Sequence, residues 1–194
     1  MESVSVNKQY RRNKIHPKKF ALWMACASMA MVFMSLTSAY MVRQAGGNWL
    51  EFPLPNIFFA STAVILASSF ALQVSYSSFK KENEGMYKGL LLLSLILGVA
   101  FVIVQYQGWQ ALQAMGVPLK LNPAGDFIYA ISGIHLAHIV GGLVAMIVTV
   151  LVAFSRKFKV TPARLLRFEL LLTYWHFVGG LWLYLMIFWT LQRS

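Results

Sequence analysis

Acidic residues are scarce in this chain, with six Asp and Glu among 194 residues against 17 Lys and Arg. Charged residues of both signs amount to 12% and hydrophobic ones to 58%, whereas an ordinary soluble domain is about 25% charged. Too little polar surface is present to coat a water-soluble globule, so composition places the chain in a lipid bilayer. Cysteine is nearly missing too. Cys26 is the single one and lies in an apolar run, which excludes an internal disulfide, a CxxC pair and a cysteine metal site. No Asp, Glu, Lys or Arg falls inside any of the long apolar runs. Proton relays, ion pumps and coupled transporters use ionisable groups near the membrane centre, and the spans offer none beyond histidine.

What is present is five uncharged runs, 20–42, 57–79, 89–109 (in a helix from about 87), 127–154 and 170–191. At ~1.5 Å per residue each crosses a ~30 Å hydrocarbon core. The predicted fold is therefore all-α, a polytopic bundle of five transmembrane helices over residues 20–194, preceded by a basic segment, 1–19. The fourth run, at ~42 Å, must tilt or project beyond the bilayer, and Asp126 is its predicted N-cap. Turn residues separate the runs: Gly46 and Gly47 with Pro53 and Pro55, then Gly85, then Pro118, Asn122 and Pro123, then Pro162. A signal peptide has an apolar region of about 7–15 residues, far shorter than the first run, so that run is expected to be retained.

Basic residues accumulate on the cytoplasmic side of membrane proteins. Counted segment by segment, 14 Lys and Arg precede α-helical run one or lie between runs two and three and between runs four and five, while Arg43, Lys120 and Arg193 occupy the alternate segments. The split predicts a cytoplasmic N-terminus and an external C-terminus. The net charge of +11 then reports topology and attraction to anionic lipid, and requires no nucleic acid.

Every polar side chain within lipid needs an account, and the candidates are His135, His138, His176, Gln73, Gln105 and Gln107. On helix four, Ser132, His135, His138 and Gly142 fall at about 0°, 300°, 240° and 280° on the helical wheel, one face of the helix. The HxxH pair reads as polar glue between helices rather than a metal or haem site, because no acidic or cysteine ligand accompanies it. Depth counted from the cytoplasmic ends puts His138 at ~24 Å, His135 at ~28 Å and Gln105 at ~27 Å, but His176 at only ~9 Å. The mismatch disfavours a haem held between helices four and five and makes Gln105 the expected partner of His135 or His138. Small residues, Ala63, Ala67, Ala71 and Ser75 on helix two and Ala21, Ala25, Ser28, Ser35 and Ala39 on helix one, are predicted packing seams. Trp175, Trp182 and Trp189 form a heptad stripe that reads as packing, with the terminal rings available as interfacial anchors.

Taken together, Ser132-Gly-Ile-His135-Leu-Ala-His138-Ile-Val-Gly141-Gly142 and Tyr174-Trp175-His176-Phe177-Val178, followed by Trp182, resemble the two signatures of subunit III of haem–copper terminal oxidases. Similarity extends to Ala21-Leu22-Trp23, Ser28 and Ala39-Tyr40, to Pro55-Asn56, to Gln105 with Trp109, and to Glu169 ahead of helix five. The five-helix form is similar to the shorter bacterial members. Three family carboxylates are replaced, by Met29, Gly108 and Gly179, so proton conduction through those acids does not carry over. The resemblance implies an accessory subunit of a proton-pumping cytochrome c oxidase in the bacterial plasma membrane. Oxidase subunit I would be its main contact, other subunits and structural phospholipid its further partners, with haems and copper on the partner subunits and no cofactor, metal or catalytic residue on this chain. The family-motif and interhelical polar residues it implies are Gln105, His135, His138, Gly142, Glu169, Trp175, His176 and Trp182. Open alternatives are a subunit III of a quinol oxidase or of a nitric-oxide-reductase-associated homologue, and, in another class, a freestanding haem b or quinone-binding membrane protein.

The charge split yields a direct test. With Cys26→Ser as background, single cysteines at Lys81 and Lys120 should differ in reactivity toward an impermeant reagent on intact cells, position 120 labelling and position 81 staying silent. Labelling at 81 would reverse the topology.

Overall fold

The computed structural model describes residues 16–192; Lys8, Arg11, Arg12, Lys14 and Arg193, which enter the charge split, lie outside the described residues. Regular structure among those residues is helical throughout: α1 Pro17–Ala45, α2 Ile57–Lys80, α3 Glu84–Ala114, α4 Pro123–Ser155 and α5 Pro162–Leu191. All five are long and apolar enough to cross a membrane, so the chain is a multi-pass membrane protein.

The helices overrun their apolar cores because caps, not hydropathy, set their ends. His16 accepts from the backbone N–H of Lys18 at 3.2 Å, and Pro17 occupies the first turn of α1. Asn83 does the same for Met86 at 3.2 Å, starting α3. Thr161 caps α5 through Arg164 N–H at 3.3 Å, followed by Pro162, so α5 begins a full two turns before residue 170. Asp126 is not the N-cap of α4. Asn122 fills that role, accepting from Ala124 N–H at 2.9 Å, because Pro123 behind it has its φ fixed for a first helical turn and no N–H to satisfy. Asp126, a turn inside, instead accepts from Lys120 N–H at 2.6 Å and ties down the preceding loop. α3 ends in a left-handed Gly116 (φ +79°), with Val117 N–H bonding Leu112 O at 3.1 Å and Gly116 N–H bonding Gln113 O at 3.0 Å, the double bond pattern that closes many helices.

Helices α2, α3, α4 and α5 form a ring in which each touches the next and α5 returns to α2; α1 lies outside it, touching α4 and α5. The α2–α3 hairpin is the most extensive pairing. Its seam is made of serine. Ser68 Oγ donates to Ser94 O at 2.8 Å and Ser94 Oγ to Ser68 O at 2.9 Å, while Ser75 Oγ donates to Tyr87 O at 2.9 Å. Of the predicted seam, Ala71 and Ser75 are buried but Ala63 and Ala67 are exposed, and the buried line of small residues continues instead through Ser68 and Ser61. Serine permits an equally close approach and also supplies a donor to the facing carbonyl, which alanine does not.

On α1 the displacement is complete. Ala21, Ala25, Ser28, Ser35 and Ala39 are all exposed, and the buried stripe is Cys26, Phe33, Thr37 and Tyr40. The large residues turn inward because α4 and α5 offer aromatic surface. Phe33 meets the rings of His135 and His138 edge-on at 6.1 and 5.8 Å, and Tyr40 meets Trp49, Phe127 and Phe188 at 4.6, 5.8 and 5.2 Å. Two polar contacts fix its height against α5, a Lys19–Glu169 ion pair and a Thr37–Tyr184 hydroxyl pair at 2.7 Å.

Candidate functional site

Of the residues singled out by sequence, Trp175, Trp182, His135 and Gly142 converge on the inward face of α5. Trp175 is fully buried, and its indole N–H donates to Ser68 Oγ at 3.1 Å, the same hydroxyl that bonds α3. A Cβ built on Gly142 would lie 2.9 Å from this ring, and one built on Gly98 would lie 3.0 Å from it. The indole therefore occupies space that only glycine leaves open on both α3 and α4. Two turns further along α5, Trp182 donates from its N–H to Thr62 Oγ1 at 3.0 Å. Its faces are covered by His135, stacked at 5.1 Å, and by Phe58, stacked at 6.2 Å. Phe101 closes its edge at 5.4 Å. Trp189 continues the stripe against Trp182 and Phe58 at 6.0 and 6.5 Å; it is buried core and not an interfacial anchor.

The three membrane histidines separate. His135 is 1% exposed, boxed by Phe33, Phe101 and Trp182. His138 turns to the α1 side, where its ring N–H donates from Nδ1 to Ile134 O at 2.8 Å and its own carbonyl accepts from the Tyr174 hydroxyl at 2.9 Å. Ser132, His135 and Gly142 are buried together while His138 is only half-buried. His176 lies on the outer face of α5. Its Nε2–H donates to Gln73 Oε1 at 3.0 Å, and Nδ1 accepts from Ser69 Oγ at 3.2 Å. No group of three or more His, Cys, Asp or Glu side chains stands together among the described residues.

Gln105 is buried, at 1% exposure, and sits level with the helix-four pair. One turn below it Phe101 touches His135 at 6.2 Å, and one turn above it Trp109 donates to Ser132 Oγ at 3.0 Å. The expected bond to a histidine is nevertheless not made. Both amide atoms of Gln105 and both ring nitrogens of His135 lack a partner among the described residues. The stacking of His135 on Trp182 and the edges of Phe33 and Phe101 hold the imidazole in an aromatic box, and His138 faces another helix. Glu169 is half-buried and serves the ion pair to α1.

Sequence reading missed the acceptors of this network, Ser68, Ser94 and Thr62, and the glycine partner Gly98. Ser61, Ser68 and Ser75 recur at heptad spacing, and that repeat was the available signal. Of the three positions where the resemblance would place carboxylates, Gly108 is tightly packed and Gly179 is in ordinary contact. A Cβ at Gly108 would stand 3.1 Å from the Phe58 ring, and one at Gly179 would stand 3.4 Å from Ser69 Oγ.

A ring of four membrane-crossing helices, keyed by indoles hydrogen-bonded to hydroxyls of neighbouring helices and flanked by a fifth, defines a helical membrane protein built around interhelical packing. Comparison with known proteins makes the class specific: the family described as Cytochrome c oxidase subunit III matches residues 45–191, and the chain belongs to that family. α1 precedes the matched region almost entirely. Similar relatives include the probable cytochrome c oxidase subunit 3 of Mycobacterium leprae (strain TN), 30% identical over 84% of this chain and 80% of that protein. That of Nocardia farcinica (strain IFM 10152) is 31% identical over the same shares. The cytochrome c oxidase subunit 3 of Pongo pygmaeus is 29% identical over 74% of this chain and 55% of its own length.

Two outcomes follow from the packing. Gly142→Ala forces a methyl into the Trp175 ring and should destabilise the solubilised protein by about 1–3 kcal/mol, read as a lower thermal midpoint. Combining it with Trp175→Phe should cost less than the two single changes together, since the residues share one contact. Gln105→Leu removes a buried amide without a partner and should leave the midpoint unchanged or raise it, by up to about 1–3 kcal/mol. A drop would show that the amide is hydrogen-bonded in the working protein.

Proposed function

We infer that this chain is the accessory subunit III of a proton-pumping cytochrome c oxidase in a bacterial plasma membrane, with its N-terminus cytoplasmic and its C-terminus outside. It packs beside subunit I, retains phospholipid along that boundary and prolongs the working life of the catalytic subunit. Haems and copper belong to the partner subunits, and this chain supplies no ligand, nucleophile or proton carrier to the reaction.

The observation that carries this reading is how the polar groups of the core are used. The indole N–H groups of Trp109, Trp175 and Trp182 all end on hydroxyls of other helices. The serines of α2 and α3 bond each other's backbones. His135, the one buried imidazole, is enclosed by three aromatic rings. Chemistry of this kind fixes helices against one another. Family membership supplies the assembly in which such a scaffold serves, and a ~30 Å apolar belt supplies the lipid contact.

Oxidase stripped of this subunit should keep its haem and copper spectrum and an appreciable initial rate of oxygen consumption, but lose activity sooner over repeated turnovers or on warming. Double substitution His135→Ala and His138→Ala should leave the metal content of the complex unchanged and mainly lower retention of the subunit. Loss of a stoichiometric haem or copper from that variant, with the subunit still bound, would place a cofactor on α4 and overturn the accessory role.

A further inference from the structure

One face of α5 is left open in a way that lipid alone does not satisfy. α1 and α2 both touch α5 but not each other. With Gly180 as zero and about 100° per residue, the α2 contact at Gly179 falls near −100° and the α1 contact at Phe188 near +80°. Between them lie His176, Ile187, Gly180 and Tyr184, at about −40°, −20°, 0° and +40°, and all four are exposed. The result is a furrow with α5 as its floor and α1 and α2 as its walls. A Cβ added at Gly180 would meet nothing within 4 Å, so the floor admits close approach of another backbone.

The furrow is also polar where it should not be. His176 and Gln73, both exposed, are seven residues beyond Glu169 and before Lys80 respectively. That puts each about 10 Å inside the charged residue that bounds its apolar run, within the hydrocarbon. The imidazole uses Nε2–H on the amide oxygen and Nδ1 on Ser69, which leaves the amide N–H groups of the exposed Gln73 as donors available at the furrow. Polar side chains at such depth face protein rather than lipid, and a small residue one turn away is the companion feature of helix–helix contact.

We propose that this furrow receives a transmembrane helix of another oxidase subunit, one that presents a hydrogen-bond acceptor to the Gln73 amide and crosses α5 at Gly180. The proposal rests on the oxidase-subunit reading above and adds the face by which the chain is held. The test uses complex purified through a tag on this chain, carrying a photo-reactive phenylalanine at Gly180 or, as a control, at Val144 on the outward side of α4. The expected result is a cross-link from position 180 to a membrane-spanning peptide of a haem-bearing partner, with only lipid adducts from position 144. In parallel, Gln73→Leu with His176→Phe should weaken retention of the subunit in detergent about three- to twentyfold, the loss of one or two hydrogen bonds to the partner helix, while the thermal midpoint of the isolated chain falls only slightly, through the lost internal bonds of His176 to Gln73 and Ser69. Lipid adducts alone at 180, a cross-link to a second copy of this chain, or unchanged retention of the double variant would each overturn the proposal while leaving the oxidase-subunit reading intact. Absence of any haem-bearing polypeptide from the purified complex would sink that reading, and this inference with it.

Discussion

The bundle depends on a single wedge. Trp175 reaches from α5 into the middle of the ring, where glycines at 98 and 142 remove the side chains that would otherwise meet it, and its one polar atom ends on Ser68. Lipid exerts no hydrophobic force between helices, so close packing and hydrogen bonds hold a membrane bundle together. An indole that touches α2, α3 and α4 at once supplies both. It also sets register, since a one-residue slip of α3 or α4 would bring Val99 or Leu143 toward the ring in place of glycine.

The remaining polar contacts repeat this logic at smaller scale. Ser68 is bonded to Ser94 O and receives the Trp175 N–H, so one hydroxyl joins three helices. Trp182 on Thr62 and Trp109 on Ser132 each join two. Individually such bonds contribute about 0.6 kcal/mol, rarely much above ~1.7. Their value lies in direction, because each is made in one rotational setting of its helix and apolar packing alone would accept several.

The fold was largely legible in the sequence because five uncharged runs admit few arrangements, and the tryptophan stripe that reads as packing is buried along its length. What escaped reading has physical causes. Small residues were taken as seams by size, yet Ala63, Ala67 and the α1 alanines face outward, since the face a helix buries depends on its neighbour: serine wins where the neighbour offers carbonyls, and Phe33 and Tyr40 win where it offers rings. Depth matched Gln105 to His135 but carries no information about ring orientation, which stacking on Trp182 decides. Asp126 looked like a cap because it abuts the apolar run, whereas the chain's own stop signal, Asn122 before Pro123, lies a turn earlier.

The placement of α1 bears on how the molecule is made. Chains enter the membrane from the N-terminus onward, so α1 reaches the bilayer before the other four described helices. Its buried stripe, however, belongs against α4 and α5, the last of the five in chain order. Thr37 waits for Tyr184 and Lys19 for Glu169, while α2 and α3, adjacent in sequence, pair as soon as both have emerged. Assembly is therefore split in time: α2 and α3 find each other as neighbours in sequence, whereas α1 meets its partners only once α4 and α5 have followed.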